Sequence, residues 1–267
     1  MMLHSPRSAL SYVAPMGDAM LKVLGWRSLL INGDPCVLDR WLWLRRHLRK
    51  GPLRTFDAGC GNGAFSIFAR LSGNEVVAAS FSVAEQDDAR RRAELVGASG
   101  IDFRTLDLRE LEDHRGSLGL FDQIICLETI EHLSDDEGLV RTLAAMLAPG
   151  GQLLLSTPFA GHRPLFSEQA SPSPVEDGSH VRFGYSQEDL SEIARGAGLR
   201  VTSEGFVSGI ISQKVTNLMR RATARLGLVG AWALVLPLRA LVLLDQPLTR
   251  LVRFPYLSAV LSAEKRR

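Results

Sequence analysis

The stretch Asp57-Ala58-Gly59-Cys60-Gly61-Asn62-Gly63 contains the residues whose spacing points most directly to chemistry. Its three glycines, spaced two apart, predict a turn too tight for side chains, because glycine adopts backbone angles that other residues avoid. The apolar run Phe65–Ala69 follows, so the turn leads into a helix whose first N–H groups lack intrahelical partners. Such groups donate to an electron-rich ligand, and the stretch therefore predicts a nucleotide-type cofactor site.

His132 is the first candidate for a catalytic base, because an imidazole titrates near neutral pH and the residue follows an apolar strand. An equal alternative is that His132 braces the next helix. Its neighbour Glu131 is expected to be structural or solvent-facing. The polar connection 158–185 is too long to be idle in a compact domain. Its strongest candidates for a catalytic role are His180 and Tyr185.

Short apolar runs alternate with helical patterns between residues 53 and 207, which predicts a parallel sheet with helices on both faces. Capping motifs predict helices beginning at Asp34, Ser134 and Ser186. We divide the chain into a helical N-terminal cap, a core, and a basic apolar helical segment with a final strand, covering 1–50, 51–207 and 208–267. The predicted strands are Leu53–Ala58, Glu75–Ser80, Ile101–Leu106, Phe121–Leu127, Gln152–Thr157, Leu199–Val207 and Pro255–Ala263.

A dinucleotide site is one interpretation of the glycine turn, since Gly59, Gly61 and Ala64 satisfy the pattern G-x-G-x-x-A. A nicotinamide or flavin site also needs an acid about 20 residues further on, which holds the ribose hydroxyls. The end of the second predicted strand offers Ser80 at that place, with Phe81 and Ser82 beside it. The dinucleotide interpretation therefore lacks its second support.

Five segments in the same order and spacing resemble the class I S-adenosylmethionine-dependent methyltransferases, and above all the small-molecule branch that includes quinone-precursor O-methyltransferases. The resemblance covers roughly residues 50–207. It implies a doubly wound, Rossmann-like α/β fold with a seven-stranded sheet whose last strand is antiparallel. The segments are Asp57–Gly63, Thr105–Leu108, Phe121–Leu133, Leu147–Leu153, and Tyr185–Leu190 with Ala197–Leu199.

The same resemblance implies S-adenosyl-L-methionine as the cofactor, with its methionine part against the glycine turn and its adenine amino group on Asp107. Most members end the second strand with an acid that chelates the ribose. This chain has Ser80 there, as in a subset similar to the cyclopropane-fatty-acid and sterol methyltransferases. The contacts carried over to the cofactor are Asp57, Gly59, Cys60, Gly61, Asn62, Gly63, Ser80, Phe81, Gln86, Leu106, Asp107, Leu108, Leu127 and Glu128.

The resemblance implies methyl transfer to a small or lipid-linked acceptor. We expect the accepting atom to be oxygen, with nitrogen and carbon left open. The alternatives are a nicotinamide-dependent oxidoreductase and a catalytically degenerate cofactor-binding scaffold. In-line transfer from a sulfonium requires alignment and sometimes a base, for which His132 is the first choice and His180 and Tyr185 are the alternatives.

Charge is unevenly distributed along the 267 residues, whose net charge is +2. From Lys214 to the end, ten basic residues face two acidic ones. The run Leu228–Leu244 is strongly apolar but is interrupted by Pro237 and Arg239, so we predict no transmembrane span. It fits a segment lying on an anionic membrane surface, or equally a helical insertion packed on the core.

Three further expectations concern partners and location. No basic stripe with interleaved aromatic residues is visible, which argues against nucleic acid. The cysteines Cys36, Cys60 and Cys126 lie at no metal-ligand or disulfide spacing, so we predict no metal site and a reducing compartment. Met1 to Leu21 does not have the pattern of a signal peptide. The expected location is cytoplasmic, with peripheral contact at the inner face of the membrane as an open possibility; the pattern leaves the oligomeric state open.

Overall fold

A computed structural model describes residues 16–32, 35–163, 172–173, 175–176 and 178–267. Its centre is one seven-stranded sheet in the order β3-β2-β1-β4-β5-β7-β6. The strands are β1 Arg54–Ala58, β2 Glu75–Ser80, β3 Asp102–Thr105, β4 Phe121–Leu127, β5 Leu147–Pro158, β6 Leu199–Val207 and β7 Ser258–Lys265.

Strands β1 to β5 pair in parallel, whereas β7 lies antiparallel between β5 and β6. The predicted seven-stranded, Rossmann-like sheet with an antiparallel last strand is therefore confirmed. The strand order reverses between β1 and β4, which both pair in the middle of the sheet. Ligands of open α/β sheets bind in the crevice at the carboxyl ends of such strands.

The helices cover both faces of the sheet. Within the described residues they are α1 Met16–Leu24, α2 Ser28–Asn32, α3 Pro35–His47, α4 Ala64–Leu71, α5 Val83–Leu95, α6 Leu111–Leu118, α7 Asp136–Ala145, α8 Gln187–Gly196, α9 Ile210–Val235 and α10 Asp245–Val252. A 3-10 stretch, Leu236–Leu244, joins the last two.

Successive residues of β4 show why both faces need covering. Ile124 and Ile125 are fully buried, yet they belong to two different hydrophobic clusters, because neighbouring side chains of a strand point to opposite faces. Phe56 and Phe121 share the cluster of Ile124. The cluster of Ile125 includes Ile67 of α4. This burial on both sides explains the continuous apolar runs of the central strands.

Two of the predicted helix starts can be compared with the structure. Ser186 forms a reciprocal capping box with Asp189, as predicted. The start predicted at Ser134 is wrong: α7 begins at Asp136, and Asp135 caps it by accepting the N–H of Gly138 at 2.9 Å. The backbone of Ser134 instead bonds the connection that precedes β6, through Glu176 and Arg182. The third predicted cap, Asp34, lies outside the described residues.

Candidate active site

The glycine turn lies between β1 and α4 and has left-handed backbone angles at all three glycines, with φ of +82° at Gly59, +48° at Gly61 and +78° at Gly63. A Cβ on Gly59 would lie 2.4 Å from Thr129 Oγ1, and one on Gly63 would lie 2.8 Å from the Cβ of Ala89. A Cβ on Gly61 would meet nothing within 4 Å. Gly59 and Gly63 therefore permit close packing, while Gly61 borders open space that a ligand can enter.

Asp57 is the fourth residue of β1, and its buried carboxyl group contacts α4. It accepts a hydrogen bond from Ser66 Oγ at 2.5 Å. Burial raises the pKa of Asp57 from 3.8 to about 6, against the opposing effect of the bonds from Ser66. The carboxyl group is only 2% exposed, so in this structure it ties β1 to α4. Ser66 was not predicted as part of the site.

The other residues of the turn are held by short-range bonds. Asn62 accepts the N–H of Ala64 at 3.2 Å through Oδ1. Gln86, fully buried in α5, donates from Nε2 to the thiol sulfur of Cys60 at 3.3 Å. Burial raises the pKa of the Cys60 thiol well above its ordinary value, so the side chain is a packing group at neutral pH. Gln86 thus stabilises the turn through the side chain of Cys60.

Charged residues follow the end of β3. Asp107 caps the short turn Leu108–Glu110 by accepting the N–H of Arg109 at 3.0 Å. The guanidinium of Arg109 lowers the pKa of the Asp107 carboxyl, and it also pairs with Glu176 at 3.5 Å. Leu106 is buried beside it and Leu108 packs partly against the same cluster. Asp107 is therefore ionised at the sheet edge, and both of its carboxylate oxygens accept hydrogen bonds from the Arg109 side chain.

Glu128, directly after β4, has a strained backbone with φ of +51°, which is uncommon for a residue other than glycine. Its neighbour Leu127 is buried at the end of the strand. Three elements hold the Glu128 carboxylate: Ser156 Oγ of β5 donates at 2.9 Å, Ser258 Oγ of β7 donates at 3.4 Å, and Arg40 of α3 lies 3.7 Å away. These three partners are far away in sequence and were not predicted.

The segment after β4 brings two predicted candidates together. The rings of His132 and His180 meet edge to face, with their centroids 4.7 Å apart. Burial, followed by the neighbouring charge of His132, lowers the pKa of His180, so its imidazole is neutral at pH 7. Glu131 Oε1 lies 3.9 Å from His132 Nε2.

Glu131 is fully buried, so the suggestion that it faces solvent is wrong. Neither carboxylate oxygen accepts a hydrogen bond within the described part of the chain. Burial raises its pKa well above 4.5, and the charge of Glu128 adds to this effect. Glu131, His132 and His180 offer ligand atoms within 4.8 Å of one another, a set of one carboxylate and two imidazoles that could hold a divalent metal ion.

Tyr185, the third candidate, is not part of this pair. Its hydroxyl donates to Asp136 Oδ2 at 2.6 Å, and Asp136 also accepts from Arg182 at 2.8 Å. Burial, the bond to Asp136 and its charge raise the pKa of Tyr185 far above 10. The phenol therefore fastens the chain before α8 to α7.

Comparison with known proteins agrees with this geometry. A family model described as a methyltransferase domain matches residues 35–204. The chain belongs to this methyltransferase family. The match begins in α3 and ends in β6, so it includes the glycine turn, Glu128 and both histidines of the site.

Curated relatives include the ubiquinone biosynthesis O-methyltransferase of Methylocella silvestris, 34% identical over 152 residues, which are 57% of this chain and 56% of the relative. The protein of the same name from Marinobacter nauticus is 33% identical over 104 residues, covering 39% and 43%. The chain spans about half the length of the curated relatives it matches.

Solved structures share the fold at low identity. The [4+2]-cyclase SpnF superposes with a TM-score of 0.57 and 21% identity over 94% of this chain and 96% of its own. Geranyl diphosphate C-methyltransferase from Streptomyces coelicolor gives 0.56 and 16%, covering 84% and 74%. These likenesses extend the shared fold well beyond the glycine turn.

The bond between Ser66 and Asp57 predicts a pH-dependent effect on stability. The folded protein holds the Asp57 proton more tightly than the unfolded chain, so this group lowers stability as pH rises between about 4 and 6. Ser66→Ala removes a donor that favours the ionised form. We expect it to cost about 1.5–3 kcal/mol at pH 7.5, where Asp57 is charged, and roughly 1 kcal/mol or less at pH 5.

Urea denaturation of the two proteins at both pH values measures this difference. Ser72→Ala is the matched control, because the hydroxyl of Ser72 donates to the neutral carbonyl of Phe68 at 2.8 Å. Its effect should be the same at both pH values. An equally pH-independent cost for Ser66→Ala would show that Asp57 does not titrate in this range.

Proposed function

We propose that this protein transfers the methyl group of S-adenosyl-L-methionine to an oxygen atom of a small or lipid-linked acceptor. The observation that supports this most is the position of the open turn at Gly61 and the pair His132–His180. The turn follows the carboxyl end of β1, and His132 follows that of the adjacent parallel strand β4, at the point where the strand order reverses; His180 reaches the pair from the connection after β5. A methyl donor held at the first would face a proton acceptor at the second.

The residues of this chain fit the cofactor in shape and charge. The positive-φ turn borders open space at Gly61, and Asp107 provides an ionised acceptor one strand beyond β2. Bound there, the cofactor supplies an electrophilic methyl group on a sulfonium centre. The protein contributes alignment for in-line displacement.

The acceptor hydroxyl must lose its proton as the new bond forms. His180 has a neutral imidazole because burial lowers its pKa, and His132 lies against it. We infer that a ring nitrogen of this pair takes the proton. Glu131, whose pKa is raised by burial, lies beside the pair, with Oε1 3.9 Å from His132 Nε2.

The fold alone does not decide the activity, since the neighbour SpnF is named as a cyclase. Membership of the methyltransferase family and the O-methyltransferase names of the curated relatives favour methyl transfer over hydride transfer.

The glycine turn provides the first test. Gly61→Val places a branched side chain in the open space and strains a left-handed position, so affinity for S-adenosylhomocysteine should fall at least about 100-fold by calorimetry. Gly97→Val is the matched control, because Gly97 has φ of +73° and equally open surroundings at the end of α5. The control should bind normally. Normal binding by Gly61→Val would contradict this location of the cofactor.

The histidine pair provides the second test. His132→Ala should lower kcat by about 100-fold or more if the imidazole removes the proton. Tyr185→Phe should keep kcat near normal while lowering the free energy of unfolding by about 1–3 kcal/mol, because Asp136 loses a buried donor. Near-normal turnover by His132→Ala would return this residue to a structural role.

A chelator distinguishes the two possible uses of the histidines. A base acting alone makes turnover indifferent to EDTA. Loss of turnover in EDTA, with recovery on adding Mg²⁺ or Zn²⁺, would instead identify Glu131, His132 and His180 as metal ligands.

We further propose that the C-terminal segment places the enzyme on the inner face of an anionic membrane. Gly230–Val252 is long and apolar enough to cross a membrane, with a mean hydropathy of 1.4. Yet Asp245 in its middle is fully buried and accepts the N–H groups of Gly209 and Ile211 at 2.5 and 2.6 Å. These two bonds fasten the segment to the start of α9, which supports a surface location over a span.

The outer side of the same segment has the chemistry of a bilayer contact. Large apolar side chains are exposed from the end of α9 to α10: Leu226, Leu234, Leu236, Leu241, Leu243, Leu244, Leu248, Leu251 and Val252. Exposed arginines stand among and beside them at Arg221, Arg225, Arg250 and Arg253. An apolar patch with arginines suits acyl chains and anionic head groups together.

Vesicle co-sedimentation tests this surface. The protein should bind vesicles rich in phosphatidylglycerol and bind phosphatidylcholine vesicles weakly. Leu243→Glu with Leu251→Glu should abolish the binding, since both side chains are mostly exposed and the fold does not depend on them. Leu71→Glu with Leu120→Glu, exposed elsewhere on the protein, is the matched control. Equal binding by all three proteins would contradict the proposed surface.

A further inference from the structure

The end of β2 lies directly beside the glycine turn. The carbonyl oxygen of Ala79 accepts the N–H groups of Gly59 and Cys60 at 3.0 and 2.9 Å. In nucleotide-binding α/β folds this position offers an acid to the ribose hydroxyls. Ser80, which occupies it here, is only 5% exposed and has a single hydroxyl. A lone hydroxyl can neither chelate a diol nor provide a charge-assisted bond.

Glu85, in the first turn of α5, brings a carboxylate to the same place. Ser82 caps this helix by accepting the N–H of Glu85 at 3.3 Å. In an ordinary capping box the glutamate would reach back to the N–H of the capping serine. Here that N–H instead faces Ser80 Oγ at 3.4 Å, and Ser80 Oγ donates to Glu85 Oε2 at 2.8 Å. Ser80 therefore holds the Glu85 carboxylate at the end of β2.

The carboxylate of Glu85 keeps binding capacity in this position. Glu85 is exposed. Within the described part of the chain Glu85 forms no ion pair, and its Oε1 accepts no hydrogen bond. Its charge acts on the neighbouring turn, since it contributes to the raised pKa of Cys60. A carboxyl group with one oxygen that accepts no hydrogen bond within the described residues thus lies at the border between β2 and the glycine turn.

We propose that Glu85, positioned by the hydroxyl of Ser80, binds the ribose hydroxyls of the adenosyl cofactor. This inference rests on the proposed function, because it assumes that the cofactor carries a ribose to this edge. Helix α5 supplies, through Glu85, the acid that β2 lacks, and Ser80 is the positioning residue of Glu85. The pair would explain why a serine at the end of β2 is compatible with cofactor binding.

Calorimetric titration with S-adenosylhomocysteine and with its 2′-deoxyribose analogue tests the assignment without any turnover. The wild-type protein should bind the analogue about 10- to 100-fold more weakly, because one hydroxyl is missing. Glu85→Ala should bind S-adenosylhomocysteine about 10- to 100-fold more weakly than the wild type does. Its affinity for the analogue should be almost the same as that of the wild type. Ser80→Ala should fall between the two, since the carboxylate remains but loses its positioning bond.

Two variants complete the design. Glu94→Ala removes an exposed carboxylate at the other end of α5 and should bind like the wild type. Ser80→Asp combined with Glu85→Ala returns an acid to the strand and should restore affinity to within a few-fold of the wild type. Circular dichroism of every variant confirms that the helix is intact.

Wild-type affinity in Glu85→Ala would overturn the assignment, as would a full 2′-deoxy penalty that persists in that variant. These outcomes leave the proposed function standing, because the cofactor still binds. Failure of the wild type to bind S-adenosylhomocysteine would instead overturn the proposed cofactor, and the role of Glu85 with it.

Discussion

The site depends on two hydrogen bonds to one atom, the carbonyl oxygen of Ala79, which accepts the N–H groups of both Gly59 and Cys60. These bonds hold the start of the turn at the end of β2, so the chain after Gly59 does not continue straight on from β1. The chain must then reverse through left-handed angles at Gly59, Gly61 and Gly63. Open space at Gly61 and the helix start behind it follow from that constraint.

A second constraint operates one strand away, at Glu128. A non-glycine residue at φ +51° costs free energy, of order 1–3 kcal/mol, and persists only where neighbours over-determine it. Here the neighbours come from α3, β5 and β7 through Arg40, Ser156 and Ser258. The N-terminal cap and the antiparallel last strand therefore both contribute to the edge where the histidines lie. Parts of the chain outside the central αβ units complete the site.

Much of the fold could be predicted because local patterns and tertiary context agree in this chain. The bounds of β2, β4 and β6 match the prediction, since buried runs bounded by turn residues leave little freedom. Ser186 caps α8 as expected. Ser134 fails as a cap because its backbone bonds to Glu176 and Arg182, which are some 40 residues further along the chain.

The candidate site could be predicted only where its residues are close in sequence. The glycine turn and the run Glu128–His132 lie on single segments and carry a recognisable spacing. The pairing of His132 with His180, and the approach of Ser258 to Glu128, depend on how β7 and the connection before α8 return to the sheet edge. No local periodicity encodes such contacts, which arise from topology.

Transfer of a labelled methyl group tests the central claim most directly. Purified protein would be incubated with S-adenosyl-L-methionine carrying a labelled methyl group and with fractionated lipid and saccharide extracts, followed by partition into an organic solvent. We expect label on an acceptor in at least one fraction, attached through oxygen. Binding of the cofactor with no label transferred to any fraction would contradict it and identify the protein as a scaffold that binds without catalysis.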